Sequence, residues 1–441
     1  MSVVIIGAGF AGLSAAAALA ERGVPVVVAD ARPRLGGRAT AFPDRQTGEL
    51  VDNGQHVMFG CYRETMAFLR RVGAWQNVRV QDSLEIPFLD VNGRRSLLTC
   101  PSLPAPWHLL AGVMSWGALP LRDRLSALRI ARPLMKAMPK ATPDVPAGST
   151  VAEWLRAHGQ SARLTEWLWE PLAVAALNQP IADAAAGPFV RVLVEMFGPD
   201  RTAAALVFPT KPLDQMYAEP ARAFIESHGG EVRVDALARI VTDGDRITGV
   251  QLRGERIETA AVISTVPWHQ LRTLFDVVPA PLAEIVRNAT EMRSMPIVTV
   301  NLWYDRVVME DAFVGLPGRS MQGVFDKRRV FGESASHLSL VSSAASTLAP
   351  LSAGELIDLA AREVAASLPG ARTATLVRAT VVREKHATFS LAPGQPPRPA
   401  TVTPLKGFYL AGDWIDTGLP GTIEGAVISG HRAADAIINS Q

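Results

Sequence analysis

Two cysteines in 441 residues, Cys61 and Cys100, are too few for a framework of disulfides, and nothing else argues for an oxidising compartment. Eight histidines are scattered without metal-type spacing, so no structural or catalytic metal is expected. Charge of either sign is unremarkable. Forty-four basic against 42 acidic residues leave a formal net charge of +2, without the basic bias of a nucleic-acid protein. No run of like charge makes a solvating tail. No stretch reads cleanly as a transmembrane helix either. The nearest, 96–121, has no Asp, Glu, Lys or Arg but is broken by Pro101, Pro104, Pro106 and two glycines.

What the chain has in quantity is apolar character, 48% hydrophobic against 20% charged, over a length that suits two domains rather than one core. The opening SVVIIGAGFAGLSAAAALAERG is alanine-rich like a signal peptide, yet it lacks a basic start and its glycines fall where a nucleotide loop needs them. A cytoplasmic protein is expected. Residues 3–6 predict a buried strand, 11–22 a helix and 24–29 a second buried strand, a βαβ unit with a parallel sheet. The pattern returns at 231–263, ending in the strand AAVIST, and again at 408–413 followed by a helix over 422–438. Between lie helix-rich stretches at 105–205 and 352–368 and a β-rich stretch at 296–342.

Gly7-Ala8-Gly9-Phe10-Ala11-Gly12 follows the first strand and opens the helix. Gly7 permits the tight turn, Gly9 lets backbone N–H groups approach a pyrophosphate, and Gly12 lets the helix pack on the strand. The helix N-terminus adds partial positive charge. Asp30 ends the second strand, where a carboxylate can accept hydrogen bonds from a ribose. This loop alone does not separate NAD from FAD.

The next residues do. Asp30-Ala31-Arg32-Pro33-Arg34-Leu35-Gly36-Gly37-Arg38 resembles the second fingerprint of flavoproteins of the amine oxidase and carotenoid desaturase superfamily. Gly36 and Gly37 would let the chain pass close to the cofactor, and Arg38 would set a fixed charge near phosphate. Gly412-Asp413 resembles that superfamily's C-terminal flavin motif, in which the Asp meets a ribityl or phosphate oxygen. Thr422 and Ile423 then resemble the helix start aimed at the flavin ring. Ala238, after Gly229-Gly230, resembles the backbone contact to adenine, and Ile263–Pro267 the strand returning to the nucleotide domain. The resemblance implies FAD and an α/β fold. A Rossmann-like FAD-binding domain would be assembled from 1–82, 209–280 and 400–441, with an inserted α+β substrate domain over 83–208 and 281–399.

Asp52-Asn53-Gly54-Gln55-His56 followed by Gly60-Cys61-Tyr62-Arg63-Glu64-Thr65 resembles the hydroxysqualene dehydroxylases, also called squalene-associated FAD-dependent desaturases, of hopanoid and squalene synthesis. Echoes occur at Trp169-Glu170-Pro171-Leu172, at Glu384–Phe389 and at Leu419–Ala426. The resemblance implies reduction of hydroxysqualene, an allylic alcohol, to squalene at the expense of reduced FAD. A hydroxyl must then be protonated so that it leaves as water in a dry pocket. Glu170, between Trp169 and Pro171, is one candidate acid, because an apolar setting raises a carboxyl pKa. His56 is the other. Each could instead be structural.

An isoprenoid needs an apolar tunnel, and five of nine tryptophans (Trp107, Trp116, Trp154, Trp167, Trp169) fall in the presumed substrate domain. Residues 122–140 carry six basic residues and one acidic. As one helix kinked at Pro133 they would set Arg129, Arg132, Lys136 and Lys140 opposite Leu128, Ala131, Met135 and Met138. With 96–121 this predicts either peripheral contact with the inner face of a membrane or a solvated cap helix. A second GxGxxG is absent, so the sequence names no electron donor. The rival readings are an isoprenoid or carotenoid desaturase and, from another class, a non-catalytic FAD-stabilised lipid carrier or scaffold. Amine oxidation is not expected, since that branch often sets a lysine near flavin N5 and 290–305 has none.

Overall fold

The structure is a computed structural model that describes residues 2–44, 48–138, 140, 143 and 145–440. Strand Val3–Ile6 is buried along its whole length, as a central parallel strand must be when both sheet faces are covered. It lies in a five-stranded parallel sheet in the order Glu231–Arg233, Val26–Ala29, Val3–Ile6, Val262–Ser264, Phe408–Leu410. Alternation assigns its two faces. Val3 and Ile5 pack into the core shared with helix Phe10–Glu21 and the C-terminal helix Ile423–Ile438, while Val4 and Ile6 pack on the opposite side. That side is covered by a three-stranded antiparallel meander, 238–258, and the segment after it. The two helices touch backbone to backbone: a Cβ on Gly430 would stand 2.3 Å from the Ala11 carbonyl oxygen.

The second large element is a seven-stranded sheet from 85–99 and 294–389. Its strands are antiparallel except where Phe313–Gly315 pairs with Glu85–Leu89. The long strands Ser294–Tyr304 and Leu376–Phe389 pair along their length and run from the outer edge back to the nucleotide domain. The boundary expected at 208/209 cuts through a strand. Leu206–Pro209, buried throughout, pairs with Met58–Phe59 and Val78–Val80 and so joins the first chain segment.

The basic segment differs from the single amphipathic helix expected. It folds as Leu121–Ser126, a tight turn at Ala127–Ile130, and Ala131–Ala137; Pro139 lies outside the described residues. Ala127, Ile130, Leu134 and Ala137 face inward, whereas Leu128 and Met135 are exposed at 41% and 62%. The buried stripe is therefore not the one paired against the basic face. The tryptophans also divide: Trp107 and Trp169 line a cavity, while Trp116, Trp154 and Trp167 are core. Among the described residues no helix is long and apolar enough to cross a membrane.

Candidate active site

A cavity of about 890 Å³ runs between the parallel sheet, the long strands of the second sheet and the helical region. The three loop glycines earn their places in different ways. Gly7 has φ +108°, and a Cβ there would meet the Thr265 hydroxyl at 2.4 Å. A Cβ on Gly12 would stand 1.9 Å from the Gly7 carbonyl oxygen, so the helix lies directly on the turn and Gly12 does not line the cavity. Gly9 has ordinary extended backbone, φ −89°, and the nearest atom to a Cβ there is Gly37 Cα at 3.7 Å. No protein contact demands glycine at position 9. A ligand drawn up to the backbone would, and the pyrophosphate of a dinucleotide would fit this open cradle.

The other motif residues surround the same space. Asp30, Ala31 and Arg32 line it beside Gly36, Gly37 and Arg38 from the second fingerprint. Asp30 is already engaged: Oδ2 accepts the Ala8 N–H at 2.9 Å and Oδ1 the Arg32 N–H at 2.9 Å. It braces the glycine loop, and each oxygen keeps a lone pair for a ribose hydroxyl. Ala238 lines the cavity beside Ala236 and the exposed Leu237, where its backbone would meet an adenine. Gly412 and Asp413 approach from the other end of the chain, where Asp413 forms a short ion pair with Arg38. Arg38 also donates to the Ala387 carbonyl at 2.6 Å, so its charge is shared between the cradle and the second sheet. Thr422 caps the C-terminal helix by accepting the Gly425 N–H at 3.1 Å, and Thr422 and Ile423 present that N-terminus to the cavity.

Several residues hold this site in roles that the sequence does not reveal. Tyr217 donates to the Gly36 carbonyl at 2.8 Å and stacks on Phe10 at 3.6 Å, pinning the Gly-Gly loop. Glu424 accepts the Glu64 and Thr65 N–H groups at 2.9 Å each and the Thr65 hydroxyl at 2.7 Å. It thereby satisfies the free N-terminal donors of helix Arg63–Arg71 from across the fold. Lys327, wholly buried, bridges Asp52 and Gln55 at 2.5 Å each, and Asp52 also accepts the Leu213 N–H at 3.1 Å.

The two acid candidates part company. His56 lines the cavity, and its Nδ1 lies 2.7 Å from the Gly54 carbonyl, which can only accept; the proton is therefore on Nδ1 and Nε2 is left toward the cavity. Burial holds its pKa below the usual imidazole value, outweighing the hydrogen bond to Gly54. Glu170 lies elsewhere. Pro171 has no N–H, and its ring would clash with the carbonyl one turn back, so the helix widens over Thr165–Trp169 before resuming at Glu170. Leu168, Trp169, Pro171, Leu172, Ala175 and Ala176 then face the cavity, and Glu170 falls on the opposite side of the helix. Its carboxyl is raised by burial and by Glu166, yet it does not line the cavity. The expected setting for an acid is there; the expected position is not.

Comparison with known proteins agrees with this geometry. The profile described as flavin containing amine oxidoreductase matches residues 10–438. The chain is 30% identical to the hydroxysqualene dehydroxylase of Rhodopseudomonas palustris, over 99% of this chain and 98% of that protein. It is 29% identical to that of Sinorhizobium fredii at the same coverage. It is 27% identical to the 15-cis-phytoene desaturase of Solanum lycopersicum, over 99% of this chain and 78% of that protein. An oxidoreductase from Methanosarcina mazei shares the fold with a TM-score of 0.76 at 17% identity, covering 99% and 100% of the two chains. With the glycine cradle, the Arg38–Asp413 closure and the helix N-terminus all on one cavity, the chain belongs to the flavin-containing amine oxidoreductases and is an FAD-dependent oxidoreductase.

Proposed function

We propose that the protein reduces hydroxysqualene to squalene. The observation that carries this reading is the course of residues 53–62. Asn53 donates to the Arg38 carbonyl at the cofactor end, and the segment then passes along the cavity to Phe59 and Tyr62, which pack against the apolar cluster around Leu84 and Cys100. The stretch most like the hydroxysqualene dehydroxylases thus borders both the cofactor cradle and an apolar space suited to an isoprenoid. Bound in reduced form, FAD supplies hydride. The chain supplies the rest: an apolar wall that excludes water, and His56, whose Nε2 delivers a proton when the imidazole is protonated, so that the hydroxyl leaves as water. Asn53 also donates to Glu384 at 3.0 Å, which ties this segment to the long strand Leu376–Phe389.

The same protein would meet its lipid at a membrane. Leu103, Trp107, Leu121, Leu125, Leu128 and Met135 are exposed, and Trp107 and Met135 also line the cavity. Arg122, Arg129, Arg132 and Lys136 are exposed among them. Apolar side chains at the cavity mouth, ringed by cations, suit an anionic bilayer, each Lys or Arg near the surface contributing about 1 kcal/mol. Vesicle flotation is expected to show binding to anionic but not neutral vesicles, weakened by salt; equal binding to both rejects the electrostatic part.

The deciding experiment for function is product analysis by mass spectrometry. Chemically reduced holoenzyme should convert hydroxysqualene to squalene, and oxidised holoenzyme should leave phytoene untouched. The likeness to phytoene desaturases makes desaturation the second reading, and conversion of phytoene alone would establish it instead.

A further inference from the structure

Away from the cofactor motifs, few polar side chains border the apolar part of the cavity, and most are spent. Asn178 donates to the Met295 carbonyl at 3.1 Å and to the Thr388 hydroxyl at 3.0 Å, and accepts the Ala344 N–H at 2.7 Å. Gln322 exchanges hydrogen bonds with the backbone of Ser343 at 3.1 and 2.8 Å. Tyr62 is different. Its ring packs edge-on to Phe59 and joins the apolar cluster of Leu84, Cys100 and Met196, and it lines the cavity. Its hydroxyl has no hydrogen-bond partner among the described residues, and it is not sealed into the packed interior as the orphaned polar atoms elsewhere are. A phenol opening onto an apolar void without a partner is unfavourable unless a ligand completes it.

The backbone that carries Tyr62 is fixed. Its N–H donates to the Phe59 carbonyl at 3.0 Å and its carbonyl accepts the Met66 N–H at 3.0 Å. Past Arg63, Glu424 clamps the N–H groups of Glu64 and Thr65 to the N-terminus of the C-terminal helix, the same terminus that faces the cofactor space. Tyr62 is thereby held in register with the cofactor end of the site.

We infer that the Tyr62 hydroxyl is the donor that receives the single oxygen of an isoprenoid alcohol, and that it selects that alcohol over a hydrocarbon of the same length. This rests on the reading of the substrate given above. Burial raises the phenol far above its usual value, so the group stays protonated and serves as a donor rather than as the acid. A hydroxyl oxygen can accept from Tyr62 and from protonated His56 at once, having two lone pairs. A hydrocarbon in the same place would leave the phenol unpaired in an apolar setting, a penalty specific to the wrong ligand.

The test uses oxidised holoenzyme, which binds without reducing, and reads the flavin absorbance change on titration with hydroxysqualene and with squalene. Wild type should prefer the alcohol, and Tyr62→Phe should lower that preference by about tenfold, the equivalent of one hydrogen bond. FAD content and melting temperature should be unchanged, because the lost hydroxyl has no protein partner; a destabilised Tyr62→Phe protein would mean that it does, and would overturn the inference. So would a preference untouched by Tyr62→Phe. Turnover is scored separately with reduced enzyme. An alcohol preference lost in Tyr62→Phe without conversion of hydroxysqualene by wild type would keep the anchor and reject the reaction.

Discussion

At its cofactor end the cavity wall is mostly backbone, Gly7, Gly9, Gly36, Gly37 and Gly412, whereas its far end is walled by side chains such as Leu84, Phe88, Leu172 and Phe325. The difference is physical. A pyrophosphate is met by N–H groups that every residue carries, so the chain there is specified by where a side chain must be missing. An isoprenoid is met by apolar volume, which many combinations of residues supply equally well. One end tolerates almost no substitution at a few positions, and the other distributes its demands over many.

The largest expected effect comes from breaking the backbone end. Gly9→Val should yield protein without FAD, read as loss of absorbance near the flavin maximum relative to protein, since the side chain would fill the cradle that only a ligand needs. A flavin-replete variant would mean that the cradle is misplaced. Next comes the chemical step. His56→Gln should slow single-turnover reduction of hydroxysqualene by about 10²–10⁴-fold with FAD retained. In wild type the rate should fall as pH rises through the lowered His56 pKa, below about 6.5, because only the protonated imidazole donates. The sign for stability is opposite to that of a stabilising ion pair. The unfolded chain binds this proton more readily than the folded one, so the site costs stability as pH falls below the unfolded value. A rate independent of pH between 5 and 8 removes His56 as donor.

Lys327 sharpens the comparison because it holds the segment that joins the two ends. Lys327→Met leaves the buried Asp52 carboxylate without its cation and should destabilise the protein by about 3–5 kcal/mol, read by thermal or denaturant unfolding. The double variant Lys327→Met/Asp52→Asn should recover most of that loss; no recovery would show that the pair is not the unit of stability. Smallest is Glu170→Gln, expected to leave the single-turnover rate unchanged because Glu170 faces away from the cavity. A large decrease would require the helix to turn over in the working enzyme.

The same contrast decides what could be read from the sequence. Gly7, Gly9, Gly12 and Asp30 sit within one βαβ unit, so spacing locates them, while Gly36-Gly37-Arg38 and Gly412-Asp413 are legible as short contiguous runs resembling flavoprotein motifs. Tyr217, Glu424 and Lys327 act through contacts with residues far away in sequence. Nothing local marks Tyr217 or Lys327, and the motif around Glu424 does not reveal its partners. The sequence pattern for 122–140 misplaced the buried stripe because it assumed one continuous helix, and the turn at Ala127–Ile130 resets the phase. Glu170 shows a different limit: neighbours in sequence lie on different faces of a helix, and Trp169 and Pro171 face the cavity while Glu170 does not.

The bond between Glu424 and the start of helix Arg63–Arg71 has a consequence for biosynthesis. The N–H groups of Glu64 and Thr65 find their acceptor 360 and 359 residues later, and the edge strand Phe408–Leu410 is the last of the parallel sheet's strands along the chain. Until those later residues are made, the cradle lacks its last wall and the apolar chamber stands open to solvent. The flavin therefore has a closed berth only once Glu424 and the strand before it have been made, and a chain cut before Phe408 should lose FAD outright rather than bind it more weakly.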